Sequence, residues 1–463
     1  AYLLQSLEPW LKLSTPESDG AAPRRWVVSS VQRSIAAHLR ACVERMGASP
    51  FHLVTHTDLN LQVAVEHPEQ VGIDRLLAAN EAAVADLDDY VQFADIAAEL
   101  LVRDPDGPGP SLWLAGNPGF VTEGYNRAGG LMIAQRLAAP EDVSVGDVAL
   151  VGSLEGDDPE TRALVEGIAA RGGLVVLFAP RRPFPGLTQS GLLAMVPVEM
   201  RTTLSGGYLF LDAHADSPGE SDLPTASPAT ALGLWAFTGE LVTAMMRRAG
   251  RMPPIFLSVH VPDGRERNAA RRGLRWDVEM PGALPPGLAA RQYLARVANS
   301  MRRLRASQVG LFAEAGELAA RTLADGHTVW LSQVGHMLPE QPAQVPEGEL
   351  PVTLLEGLQP DRVPEVVRPG DLVLYLGYYE PFGPWVETVH GAGARIVTVV
   401  SGTPERSAAD MGADLNISGC WPFGDALTGF YPPATDITML PPSGVIQSAA
   451  FWMLLAETRA AMQ

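Results

Sequence analysis

Cysteine is nearly missing from this chain. Cys42 and Cys420 are the only two in 463 residues, far apart and without the close spacing of a metal or redox pair, which excludes a disulfide framework and fits a reducing compartment. Net positive charge is missing too. A formal charge of −19 repels a phosphate backbone and an anionic membrane alike, so neither a nucleic acid nor a membrane is expected as a partner. The nearest basic stretch, Arg265 to Arg275, reads as a solvated loop and linker. No apolar run is long and unbroken enough to span a membrane, and the N-terminal AYLLQSLEPWLKL is interrupted by Glu8 and Pro9. Together these absences predict a cytoplasmic protein. No Gly-x-Gly-x-x-Gly follows a strand, and there is no Walker loop, zinc spacing or Gly-x-Ser-x-Gly elbow. No cofactor and no metal is expected.

What the chain does have is one pattern twice. A helix-like stretch, an apolar strand, a glycine-containing loop, then Gly-Asp with a second apolar strand and a helix run through 111–132 and 146–180, and again through 328–341 and 370–402. The apolar runs VALVGS, LVVLFAP, DLVLYLG and RIVTVVS are short, β-rich and continuous rather than alternating, as strands covered on both faces are. TRALVEGIAARGG and PWVETVHGAGA have the length of crossover helices and end in glycine. An α/β fold follows, with two doubly wound parallel-sheet sandwiches and ligand clefts at the carboxyl ends of the strands. With 46% hydrophobic and 19% charged residues, the chain is globular and long enough for two or three cores. The expected divisions are 1–85, a small α/β segment; 86–280, the first repeat; and 281–463, the second, with a break at the Pro- and Gly-rich MPGALPPG. The segment 228–248, apolar on most faces, is expected to be a helix buried between repeats or subunits.

The order of these pieces resembles the sugar isomerase (SIS) domain, a phosphosugar-binding α/β sandwich. In the second repeat the resemblance rests on YLARVANSMRRLRASQVGLFAEAGELAARTLADG, WLSQVGHM, the Gly-Asp strand and GADLNISGCWPFGDALTG. In the first it rests on YVQFADIAAELL, LAGNPGFVTEGYNRAGGLM and GDVALVGSLEGDDPETRALVEGIAARGG. A phosphorylated sugar as ligand, aldose-ketose isomerisation or sugar-phosphate sensing as activity, and pairing of domains with mutually completed clefts are what the resemblance implies. Internal pairing of the two repeats would meet that last requirement, with oligomeric state left open. The first section resembles part of a type III pantothenate kinase through WVVSSVQRSIAAHLRACVERMG and VEHPEQVGIDRLLAA. The Asp-Gly-Thr and Asp-x-Gly-Asn loops of that family are missing, so no kinase activity is expected.

SIS domains seat phosphate on hydroxyls and backbone N–H groups in the loop after the second strand, where a helix begins. The first repeat has Ser153 and Gly156 there, with Asp157 and Asp158 read either as helix caps or as ligand contacts. The second repeat, Gly377-Tyr378-Tyr379-Glu380-Pro381-Phe382-Gly383, has no small hydroxyl, so the resemblance puts the site in the first. Gly116, Asn117, Gly119, Thr122, Arg127, Ser153 and Ser332 are the ligand-binding candidates. Glu123 and His336 are the catalytic candidates, since isomerisation needs a base for the proton next to the carbonyl and SIS isomerases use Glu and His. An i, i+4 ion pair of Glu123 with Arg127, and a solvated loop position for His336, are the bland readings of the same residues.

Overall fold

Short runs of β-branched and aliphatic residues form the centres of two parallel sheets. The computed structural model describes residues 68–180, 208–215, 224–277, 282–335, 340–355, 359–429 and 437–463, apart from Pro105, Pro108 and Asp157. The strands and helix expected in 1–67, and the candidate His336, lie outside the described residues. One sheet holds β1 (Leu112–Gly116), β2 (Ala134–Arg136), β3 (Val148–Gly152), β4 (Leu174–Ala179) and β5 (Tyr208–Asp212), in the order β2-β1-β3-β4-β5. The other holds β6 (Val329–Gln333), β7 (Thr353–Leu354), β8 (Leu372–Leu376), β9 (Arg395–Val400) and β10 (Leu415–Ser418), in the order β7-β6-β8-β9-β10. Every pairing in both sheets is parallel. The two orders are the same, and each sheet reverses its winding between its first and third strands, the switch point where open α/β sheets bind ligands. A small antiparallel ribbon, β11 (Thr428–Gly429) with β12 (Thr438–Met439), follows the second sheet.

The duplication extends to single hydrogen bonds. Asp147, entering β3, accepts from the Ser111 N–H at 2.7 Å, the Trp113 indole at 2.9 Å and the Ser144 N–H at 2.9 Å. Asp371, entering β8, accepts from the Thr328 N–H, the Trp330 indole and the Arg368 N–H, each at 2.9 Å. Each carboxylate thus ties the start of one central strand to the start of its neighbour, which explains the repeated Gly-Asp of the sequence.

The helices are α1 (Pro68–Ala85), α2 (Leu87–Leu101), α3 (Pro118–Gly124), α4 (Pro159–Ala170), α5 (Ala226–Ala249), α6 (Gly264–Arg271), α7 (Leu288–Ser307), α8 (Val309–Ala324), α9 (Val363–Val366), α10 (Trp385–Gly391) and α11 (Ser443–Ala461). Within each repeat the helix before the first strand packs on the last long helix: α2 on α5, and α8 on α11. Between repeats the packing is crossed. α7 lies against α5 and α5 touches α11, while α1, from the 1–85 section, lies against α11. These helices form one apolar layer shared by both repeats.

α5 is the centre of that layer, with every residue from Ala226 to Met246 buried. Its composition and length would suit a membrane span, but it is enclosed by protein. It carries one acid at full burial, Glu240, whose carboxylate accepts from the Gly287 N–H at 2.8 Å and the Ala290 N–H at 2.9 Å. Those are orphan donors at the N-terminus of α7, so the acid of one repeat caps a helix of the other. Burial pushes the Glu240 pKa up despite these bonds.

The Arg265 to Arg275 stretch is largely solvated, as its composition suggests, but it is helical rather than a loop. Most of it is α6 and the turn after it. Arg271 is buried and paired with Asp277, and Arg275 donates to the carbonyls of Pro110 (2.9 Å) and Leu101. Composition cannot reveal an arginine satisfied by buried carbonyls from distant segments.

Candidate functional site

The loops at the carboxyl ends of β1 and β3 are closed on themselves. Gly116 has φ +86°, and a Cβ there would strike the Gly152 carbonyl, so only glycine allows the Asn117 N–H to reach that carbonyl at 2.8 Å. A Cβ on Gly152 would overlap the Phe120 ring. Phe120 fills the switch point and continues into an aromatic stack, 5.4 Å from Phe178, which lies 5.7 Å from Phe237.

The polar candidates beside this plug bond within their own loops. Asn117 caps α3, accepting from the Phe120 N–H at 3.2 Å. The Ser153 hydroxyl is buried, donates to Asp158 at 2.9 Å and accepts from the Gly156 N–H at 2.9 Å. Asp158 caps α4 through the Thr161 N–H at 2.7 Å. Burial alone would raise the Asp158 pKa, but these hydrogen bonds outweigh it and hold it low. Of the two readings of Asp158, capping is the one the geometry shows. Gly119 faces the second repeat, where a Cβ would lie 3.4 Å from the Glu340 Cβ. Ser332 lies within β6, buried, in register with Tyr375.

Glu123 is fully buried on α3 and accepts from the Trp235 indole of α5 at 2.6 Å. A Cβ on Gly444 would strike its carboxylate, so the acid stands at the first turn of α11, in the other repeat. The second repeat mirrors this arrangement with an amide. Gln341 accepts from the Trp452 indole of α11 at 3.0 Å and donates to the Ser227 hydroxyl at 3.0 Å, in the first turn of α5. The two halves thus exchange one contact each, from a carboxylate on one side and a carboxamide on the other. The Arg127 Nε donates to the Thr122 carbonyl at 3.0 Å.

Next to this exchange lies a cavity of about 540 Å³. One wall comes from the turn after α3 (Asn126, Arg127) and the loop after β8 (Tyr378, Tyr379), with Asp425 from the segment before β11. The other wall is the 256–272 segment, including His260 and the α6 side chains Arg265, Asn268 and Arg272. Asn268 locks α6 in place, donating to the Leu257 carbonyl and accepting from the Leu257 N–H, both at 2.8 Å. Of the residues expected to bind ligand, Arg127 alone lines this space. Glu123 is not part of that lining. Burial chiefly, then the charge of Asp425, raises the Tyr378 pKa, with Arg127 opposing and Glu123 adding to the rise. Burial and then Arg265 lower the pKa of His260, with Glu380 pulling the other way. The imidazole is therefore neutral at neutral pH.

Sequence reasoning missed Arg265 and Arg272, because nothing in the pattern shows that α6 lines the same cavity as the second repeat's loop. It also missed the tyrosines, which a search for small hydroxyls passes over. Among the described residues no group of three or more His, Cys, Asp or Glu is placed to hold a metal ion.

The family model for type III pantothenate kinase matches residues 5–90. No curated protein matches by sequence. Solved structures that align with the chain include a protein described as sugar-binding from Salmonella typhimurium, 11% identical, over 85% of this chain and 100% of that one, with a TM-score of 0.43. Another is described as a phosphosugar isomerase from Silicibacter pomeroyi, 12% identical, over 85% and 98%, with a TM-score of 0.36. Glucosamine-6-phosphate deaminase from Thermotoga maritima aligns at 9% identity over 81% and 93%, with a TM-score of 0.36.

Proposed function

We propose that this protein binds a phosphorylated sugar in the cavity between its repeats. One observation carries the reading: three guanidinium groups, Arg127, Arg265 and Arg272, line a partly apolar cavity in a chain of formal charge −19. Arginine presents a planar fork that fits phosphate oxygens two at a time, and an arginine-lined recess in an acidic protein draws anions out of a repelling surround. Asn126, exposed on the cavity lining, supplies a polar group for sugar hydroxyls. The loop of Ser153 is a poorer phosphate seat, since its hydroxyl and Asp158 already satisfy one another.

Isomerase activity is a second reading, favoured by Glu123. A fully buried carboxylate outside the cavity lining, held by an indole N–H at 2.6 Å, is the one candidate base in the described residues that the resemblance also names. A non-catalytic sensor is the outcome if no turnover is found.

Thermal melting of the intact chain with fructose 6-phosphate, glucosamine 6-phosphate and sedoheptulose 7-phosphate, against the unphosphorylated sugars, tests the binding. A ligand at a hundred times its Kd adds roughly 2.7 kcal/mol to the native state, and Arg265→Ala with Arg272→Ala should remove most of that. No shift with any sugar phosphate, or a shift that survives the double change, overturns the site. Exchange of the substrate C2 proton in D2O reports isomerisation, and Glu123→Gln should abolish it.

A further inference from the structure

A cluster of aromatic rings adjoins the arginine-lined cavity, whose lining includes His260, Tyr378 and Tyr379. The His260 and Tyr379 rings are 5.0 Å apart and edge to face. Phe382 lies 6.0 Å from His260, nearly parallel at 27°, and Phe423 lies 4.8 Å from Tyr379. Tyr379 is buried, while Phe382 and Phe423 are 47% and 38% exposed. These are the two exposed phenylalanines among the described residues, and both stand here. Val259, half exposed, lines the same cavity.

A sugar phosphate alone, whose C–H face covers at most one ring, leaves most of this surface unused. Its hydroxyls gain little from exposed phenyl rings, and 540 Å³ falls within the roughly 300–1,000 Å³ of clefts that enclose a much larger organic ligand. Exposed guanidinium groups on the cavity lining with exposed flat apolar rings next to them match a molecule carrying phosphate in its middle and a planar ring at one end. We propose that the ligand is a nucleotide-linked sugar, with its phosphates on Arg265 and Arg272, the sugar toward Asn126, and the base stacked on Phe382 or Phe423. Stacking suits any base, because each has a π-face, and neutral His260 beside the platform adds no charge that would favour one anion over another. This inference rests on the phosphosugar reading of the same cavity.

Isothermal titration of the full chain with inorganic pyrophosphate, glucose 1-phosphate, UDP, ADP, UDP-glucose and ADP-glucose tests it. The nucleotides should bind about tenfold or more tighter than pyrophosphate, the gain expected of one base stacked on an aromatic side chain, and the nucleotide sugars tighter still. The Phe382→Ala, Phe423→Ala double variant should lose that tenfold while binding glucose 1-phosphate as before. Both side chains are exposed, so an unchanged melting temperature without ligand will show the variant folded. Equal affinity for UDP, ADP and pyrophosphate would overturn the inference, as would a nucleotide advantage that survives the double change. If glucose 1-phosphate binds in those cases, the phosphosugar reading stands. If no phosphate compound binds, both fall.

Discussion

Trp235 and Trp452 occupy matching places on α5 and α11, and each indole needs a buried acceptor. Glu123 supplies one at 2.6 Å and Gln341 the other at 3.0 Å. Glu123→Ala should leave the indole N–H unpaired in the core and cost about 1–3 kcal/mol in a urea titration. Glu123→Gln copies the second repeat and should cost distinctly less; an equal loss would show that the negative charge, rather than the hydrogen bond, matters at this position. Asp371 makes a second residue-level prediction. Burial pushes its pKa up, but the Thr328 N–H, Trp330 indole and Arg368 N–H, with His327 nearby, more than compensate and hold it low. A carboxyl depressed in the fold binds its proton less tightly there than in the unfolded chain. Its contribution is therefore complete above the unfolded value of about 3.9 and is lost as pH falls through the folded one. The urea midpoint of Asp371→Asn should be lower than that of the parent at pH 7, and the gap should narrow below about pH 4. A gap independent of pH would assign the loss to packing.

At the scale of elements, Glu240 joins the last long helix of one repeat to the first turn of α7 in the other. Glu240→Ala leaves the Gly287 and Ala290 N–H groups without their acceptor in a buried setting, at roughly 1–3 kcal/mol each. Glu240→Gln retains one oxygen and should lose about half as much; guanidinium titrations of the three proteins would show the order. The strands were plain in the sequence because their signal is local. VALVGS, LVVLFAP, DLVLYLG and RIVTVVS became β3, β4, β8 and β9, and the apolar 228–248 segment became α5. The cavity was not plain, because it depends on where distant segments meet. α6 is an exposed basic helix, and only the structure shows it locked to Leu257 and lining the same cavity as the loop after β8. Asn117 and Ser153 lie in the expected loops, yet whether a side chain turns to a ligand or back to its own helix depends on geometry that spacing does not encode.

At the scale of the whole molecule, the packing of α5 on α7 and α11 makes each repeat a part of the other's core. Expressed separately, 65–280 and 281–463 should aggregate, because α5 would lose α7 and α11 together. Expressed together, they should reassemble into a soluble complex of the intact chain's mass, seen by size-exclusion chromatography with light scattering. Two well-behaved monomers, each melting as the full chain does, would contradict that.

The exchange of Glu123 for Gln341 across the pseudo-twofold has a consequence for how such a molecule can change. Two identical subunits meeting about a true axis must carry the same residue at both related positions, so a mutation that helps one cleft is imposed on the other. A single chain holding both halves is free of that constraint. One end can keep an acid while the other becomes neutral, and one switch point can be plugged by Phe120 while the loop after β8 opens onto arginines contributed from across the junction. Covalent linkage lets the two halves diverge position by position, as Glu123 and Gln341 have.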